Sequence, residues 1–235
     1  MPPTLTRMPA PSALALSDSN KSAWDELYAS TPELIWGREP IGFLPRLLPD
    51  AASLPPGPIL DAAAGEGRNL PVLLSLGRPV TAWDASPAAL AKIPAAVHAQ
   101  VATLACDLAE PPGPDARFAL ILLSDTVETL PEPEPILAAL ARLLVPGGLL
   151  LANVPAHDDG VAGINMRPAE GGGWLYRGRY YYHFYARAEA EALFARAGLE
   201  LAASDDCLWE EPPHPQFRDA THRHHSRVLL GRRPA

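Results

Sequence analysis

Three aspartates and a glycine turn carry the clearest chemical signal in this chain of 235 residues. The run Asp61-Ala62-Ala63-Ala64-Gly65-Glu66-Gly67 follows a short apolar stretch and leads into a helical one. Glycines at such a turn let the backbone take positive φ and lie close against a ligand. Asp84 ends the next apolar stretch, and Asp107 ends the one after. An acid at the end of a second strand accepts both hydrogen bonds of a ribose diol. An acid at the end of a third strand is placed to accept from an adenine amino group. Turn chemistry alone explains one aspartate after a strand. It predicts no series of three beside a glycine turn, so the pattern points to a nucleoside-bearing ligand.

Two nucleotide chemistries compete for that turn. The dinucleotide fingerprint asks for a third small residue three positions after the second glycine, so that helix and strand pack closely. Leu70 stands there. Asp61 lies just ahead of the glycines, where a pyrophosphate would be repelled and a ligand with a sulfonium and an ammonium group tolerated. These two residues favour S-adenosylmethionine over a nicotinamide dinucleotide.

The elements that must position these residues follow from the apolar pattern. Strands are expected at 58–61, 80–83, 101–105, 118–123, 148–154, 199–209 and 226–230. Helices are expected at 69–76, 87–92, 136–144 and 187–197, with Ser86 capping before Pro87 and Gly198 ending the last. Continuous apolar strands alternating with helices predict an α/β fold, a mostly parallel seven-stranded sheet with helices on both faces. The last two strands are joined by a proline-containing connection without a crossover helix, which predicts an antiparallel pair at one edge. Ahead of the sheet, 1–19 reads as a flexible tail. A short N-terminal helical leader follows, with helices at 20–29, capped by Ser19 or Asn20, and at 39–48. The remainder, 20–235, reads as a single domain, in which 20–56 forms an N-terminal lid and 155–185 a loop or insertion near the acceptor site.

With these segments in hand, 58–154 resembles the class I S-adenosylmethionine-dependent methyltransferases, whose fold is Rossmann-like. Ile59-Leu60-Asp61-Ala62-Ala63-Ala64-Gly65-Glu66-Gly67-Arg68-Asn69 is similar to their first motif, and Ala82-Trp83-Asp84-Ala85-Ser86-Pro87 to their second-strand motif. Leu144-Val145-Pro146-Gly147-Gly148 resembles the approach to their fifth strand. The resemblance implies S-adenosyl-L-methionine as cofactor. It implies contacts from Gly65 and Gly67 to the methionine part, from Asp84 to the ribose, and from Asp107 and Leu108 to the adenine, and Asp61, Ala63, Asn69 and Ala85 are expected among the cofactor-binding residues. Ser124 is implied near the sulfonium. Trp24-Asp25-Glu26-Leu27-Tyr28 and Ile35-Trp36-Gly37-Arg38-Glu39-Pro40 look like the leader of small-molecule members related to tellurite and thiol methyltransferases. There, Arg38 is expected to pair with the methionine carboxylate.

The acceptor leaves a weaker trace. Methyl transfer is an in-line displacement that needs placement and exclusion of water more than one obligatory catalytic group. Asp125, Glu128, His157 and His183 are the candidate bases or orienting groups, and Asp125 reads equally as a cap of the turn 126–130. Tyr180, Tyr181, Tyr182, His183 and Tyr185 read either as packing or as a lid over the acceptor. Asp125, Tyr182 and His183 are the expected catalytic set. His222 and His224 share a strand face, but no cysteine or carboxylate completes a ligand spacing, so no metal is expected.

Composition bounds the rest. A net charge of −8 disfavours sequence-independent nucleic-acid binding. Two distant cysteines without a paired spacing indicate a reducing compartment. No stretch is long and apolar enough for a signal-peptide core or a membrane span. The expectation is a cytoplasmic enzyme acting on a small-molecule acceptor, without nucleic-acid or membrane partners. The alternative is a non-catalytic S-adenosylmethionine-binding or interaction protein on the same fold.

Overall fold

The computed structural model describes residues 13–113, 117–169 and 172–235. It opens with α1 (Ala13–Ser30) and the short α2 (Leu44–Leu47). The apolar runs then form β1 (Ile59–Ala62), β2 (Val80–Asp84), β3 (Val101–Ala105), β4 (Phe118–Leu123) and β5 (Leu144–Pro155). Helix α3 (Leu70–Leu74) connects β1 to β2, α4 (Pro87–Ala91) and α5 (Ala95–His98) lie between β2 and β3, and α6 (Pro133–Leu143) precedes β5. These five strands pair in parallel.

Every residue of β1 and β4 is buried, as strands covered on both faces must be. Alternation along the strands divides their side chains between two cores. Leu60, Ala62, Ile121 and Leu123 pack with Leu137 and Leu140 of α6 and with Leu193 and Phe194 of α7 (Arg187–Arg196). Ile59, Leu120 and Leu122 pack on the other side with Leu44, Leu70 and Leu73.

The sheet is completed by β9 (Glu200–Glu211) and β10 (His222–Arg232), giving the order β3-β2-β1-β4-β5-β10-β9. β10 runs antiparallel to both neighbours, as the short connection requires. Between β5 and α7 the chain forms a separate antiparallel sheet of β6 (Met166–Pro168), β7 (Trp174–Tyr176) and β8 (Tyr180–Tyr182). Tyr180–Tyr182 of the aromatic run thus form β8, with His183 and Tyr185 beyond its end. Tyr176 and Tyr180 pack with Leu27 and Tyr28 of α1 and with Phe217.

The leader departs from expectation in a way that matters for the site. Of the predicted tail, 1–12 lie outside the described residues, while 13–19 are helical. No proline falls between Pro11 and Pro32, so nothing in the sequence stops the helix before residue 20. Asn20 therefore sits inside α1 and caps nothing. Its buried amide donates to the Thr129 carbonyl at 2.8 Å and accepts from the Tyr181 N–H at 2.9 Å. One side chain thus ties α1 to the turn after β4 and to β8. The second leader helix shrinks to Leu44–Leu47, behind Pro40 and Gly42. The final strand begins at His222 instead of Ser226, because its histidines pair in full register with β9. Among the described residues no helix is long and apolar enough to cross a membrane.

Candidate functional site

The strand order reverses between β1 and β4, whose chain connections run to opposite sides of the sheet. Open α/β sheets bind ligands beyond the carboxyl ends of their strands at such a point. A cavity lies there. Its floor is Ala63, Ala64, Gly65 and Glu66 after β1, Asp84 and Ala85 at the end of β2, Asp107 and Leu108 after β3, and Ser124 and Asp125 after β4. α1 roofs it with Asn20, Lys21, Trp24 and Tyr28, helped by Trp36.

The floor is held by its own acids. Gly65 has a φ of +55°, and a Cβ there would come within 3.0 Å of the Tyr28 hydroxyl. Its N–H donates to Asp84 at 2.8 Å, and the Ser86 N–H donates to the other oxygen at 2.8 Å. Burial pushes the Asp84 carboxyl up, and those N–H groups oppose it. Asp61 is wholly buried, and neither of its oxygens has a hydrogen-bond partner. Burial, and then the charge of Asp84, pushes its pKa up to about 8. Burial also raises the Asp107 carboxyl, but Lys21 at 2.7 Å and the Ala109 N–H at 2.9 Å more than offset it, leaving it below the usual value.

The leader is fastened down by residues of the same floor. Glu66 accepts from the Ile35 N–H at 2.7 Å and pairs with Lys92. Asn69 accepts from the Ile41 N–H at 3.0 Å and donates to the Ser124 hydroxyl at 2.9 Å. Trp24 packs against Tyr180 and Phe217, with ring centroids 4.8 and 5.3 Å apart.

Of the fourteen residues expected to bind the cofactor or form the catalytic set, ten line the cavity: Ala63, Gly65, Asn69, Asp84, Ala85, Asp107, Leu108, Ser124, Asp125 and Tyr182. Four do not. Asp61 lies beneath the floor. Gly67 takes a φ of +80°, a backbone that favours glycine, and a Cβ there would also crowd Leu70 Cδ1 at 2.7 Å. Arg38 is exposed, and the arginines that line the cavity are Arg68 and Arg218. His183 turns its ring to Glu189 at 2.9 Å. His157 is exposed as well.

Asp125 does not cap the following turn, where no side-chain cap hydrogen bond is made. It adopts a φ of +45°, a conformation that costs a non-glycine residue about 1–3 kcal/mol. Asn153 compensates with a reciprocal pair, accepting from the Asp125 N–H at 2.9 Å and donating to its carboxylate at 2.7 Å. Arg68 bonds the other oxygen at 2.8 Å. Next to it, Glu128 is buried with Oε2 unpartnered, and burial, then the charge of Asp125, lifts its carboxyl well above the usual range. Burial likewise raises the Tyr182 hydroxyl.

The far wall holds residues to which the sequence reading gave no role at the site. Glu211, His214, Phe217, His222 and His224 all line the cavity. Glu211 stands directly opposite His222 in the β9–β10 register, so a carboxylate does join the two histidines. Period-two spacing of the histidines was visible in the sequence, but the partner strand that supplies the acid was not.

A model of the methyltransferase domain family matches residues 36–204, more than half of the chain. No curated protein matches the chain. Among solved structures it is similar to Burkholderia thailandensis 1,6-didemethyltoxoflavin-N1-methyltransferase, solved with 1,6-didemethyltoxoflavin and S-adenosylhomocysteine. Identity is 22%, with 98% of this chain and 94% of that one covered and a TM-score of 0.66. It is similar also to the protein solved in work on conversion of a disulfide bond into a thioacetal group during echinomycin biosynthesis. Here identity is 20%, coverage 91% and 93%, and the TM-score 0.68. The [4+2]-cyclase SpnF matches at 17% identity, 98% and 100% coverage and a TM-score of 0.61. With the family model spanning the glycine turn and most of the sheet, the chain belongs to the class I S-adenosylmethionine-dependent methyltransferases, whose cofactor is S-adenosylmethionine.

Proposed function

We propose that the chain transfers the methyl group of S-adenosylmethionine to a small-molecule acceptor held in the same cavity. The observation that carries this reading is the row of acids beneath and along one floor: Asp61, Asp84 and Asp107 end or follow three adjacent strands, with Gly65 between them and the roof. The residues fit the cofactor. Asp61 offers buried oxygens with no donor of their own, suited to stabilising an ammonium group above them. Asp84 keeps lone pairs beyond the two already shared with backbone N–H groups, suited to a ribose diol with Ala85 alongside. Asp107 and Leu108 stand where the adenine would lie, and Ala63, Gly65, Asn69 and Ser124 where the methionine part would.

When bound, S-adenosylmethionine supplies a methyl on a positively charged sulfur, open to in-line displacement by an acceptor lone pair. The chain's own work is to orient and to exclude water. Asp125 is locked between Arg68 and Asn153, so it shapes the wall. Burial holds Tyr182 and Glu128 toward their protonated forms, in which each can donate a hydrogen bond to an acceptor. His183 and Arg38 lie outside the cavity and have no part. The aromatic roof and the net charge of −8 favour a small acceptor over nucleic acid.

A crystal structure with S-adenosylhomocysteine tests this placement. The ribose oxygens should lie within hydrogen-bond distance of Asp84, and the sulfur should face the Asp125 and Tyr182 wall. S-adenosylhomocysteine bound elsewhere would overturn it. The likeness to a [4+2]-cyclase favours a second reading, a protein of this fold that transfers no methyl group. Cofactor binding without any methylated product across a broad acceptor panel would select that reading.

A further inference from the structure

The geometry points to a divalent transition-metal site on the far wall of the cavity, formed by Glu211, His222 and His224, for a borderline cation such as Zn²⁺ or Fe²⁺. The sequence places His222 and His224 two apart on β10, so both rings leave the same face of the strand. Glu211 is the cross-strand partner of His222 and projects from that face too. One ligand atom from each of the three lies within 4.8 Å of the others. All three side chains line the cavity.

The rings are oriented as metal ligands are oriented. His224 turns Nδ1 to Asp159 Oδ2 at 3.2 Å. Asp159 is buried and fixed in turn by the His225 and Val161 N–H groups, both at 2.9 Å. His222 turns Nδ1 to the Ala220 carbonyl at 3.1 Å. An Nδ1 facing an oxygen acceptor carries the ring proton and leaves the lone pair on Nε2, the arrangement by which outer carboxylates and carbonyls fix a ligating imidazole. Neither Nε2 has a hydrogen-bond partner among the described residues. A closed structural network would use both.

Glu211 is braced in the same way. Oε1 accepts from Arg68 at 3.0 Å and from Trp209 Nε1 at 3.1 Å, while Oε2 faces His214 alone at 2.9 Å and keeps a lone pair. Two imidazoles and one carboxylate leave coordination positions unfilled, as in catalytic and not structural sites. Imidazole ligands select zinc, iron, nickel or copper over magnesium or calcium. The open positions face the cavity, where an oxygen or nitrogen lone pair of the acceptor would occupy them. This last consequence rests on the methyl-transfer reading; the metal site does not.

The test uses the full chain stripped with chelator. Calorimetry with Zn²⁺ should show one ion bound per chain, and Co²⁺ should give visible d–d bands. Mg²⁺ should give neither. His222→Ala and His224→Ala should each weaken Zn²⁺ binding by about 100-fold or more, and Asp159→Asn by about 10-fold, within the range for loss of an outer partner. His98→Ala, exposed on α5, should change nothing. His222→Gln, of similar size, guards against a folding failure, and S-adenosylhomocysteine binding certifies each variant as folded. Absent or non-stoichiometric Zn²⁺ binding, or binding retained by both His222 variants, would overturn the site. Zn²⁺ binding without S-adenosylhomocysteine binding would sustain the site and overturn the methyl-transfer reading.

Discussion

Asp84→Ala should weaken S-adenosylhomocysteine binding by about 100-fold or more, measured by calorimetry. A hydrogen bond to a charged acceptor contributes about 1.5–3 kcal/mol, and each 1.4 kcal/mol is about tenfold in affinity. A ribose diol would make two such bonds to Asp84, so even the low end gives two orders of magnitude. The substitution also frees the Gly65 and Ser86 N–H groups, which now share the carboxylate at 2.8 Å each. That loosens the turn as well as removing the acceptor. Asp84→Asn keeps the shape but turns one acceptor into a donor, and should fall between wild type and alanine. Affinity unchanged in Asp84→Ala would remove the ribose from this position.

The second large effect is on stability against pH. Asp61 is buried without a partner, and its pKa stands at about 8 in the folded chain. In the unfolded chain an aspartate titrates near about 3.9. Between those values the folded state retains a proton that the unfolded state has released. Stability from this group is therefore fully present below about pH 4 and falls by roughly 1.4 kcal/mol per pH unit until about pH 8. The sum over that window is on the order of 5 kcal/mol. Asp61→Asn removes the carboxyl and with it this share of the slope. Urea unfolding at a series of pH values should show the variant gaining on wild type steadily from pH 4 to 8. Parallel curves for the two proteins would show that Asp61 does not carry the proton. An ammonium group above Asp61 would favour the ionised form, so cofactor binding at neutral pH should release a proton, seen as a buffer-dependent heat.

The residues that were legible share one property: their meaning lies in neighbours along the chain. Ser86 before Pro87 reads as a cap, and its hydroxyl does accept from the Ala89 N–H at 3.0 Å. The wholly apolar run at 118–123 reads as a central strand and is one. Gly198 reads as a helix stop and takes a φ of +81°. What escaped depends on the register between distant segments. Glu211 and His222 meet only because β9 and β10 pair as they do. Asn20 reads as a cap from its type, whereas its amide bridges to Thr129 and Tyr181, more than a hundred residues away. Arg38 is singled out by the likeness of its leader segment, yet the arginines lining the cavity are Arg68, directly after the glycine turn, and Arg218, far along the chain. Asp125 lines the cavity after β4, but its left-handed backbone and its clasp by Asn153 are properties of the folded turn.

Methyl transfer from this cavity to a small molecule can be measured directly. The most direct measurement incubates the full chain with methyl-labelled S-adenosylmethionine and a fractionated small-molecule extract, following the label by mass spectrometry. S-adenosylhomocysteine should form in step with label in a low-mass product, and both should be lost in Asp84→Ala. Label confined to protein or nucleic acid, or no transfer to any fraction by a chain that binds the cofactor, would contradict methyl transfer to a small molecule.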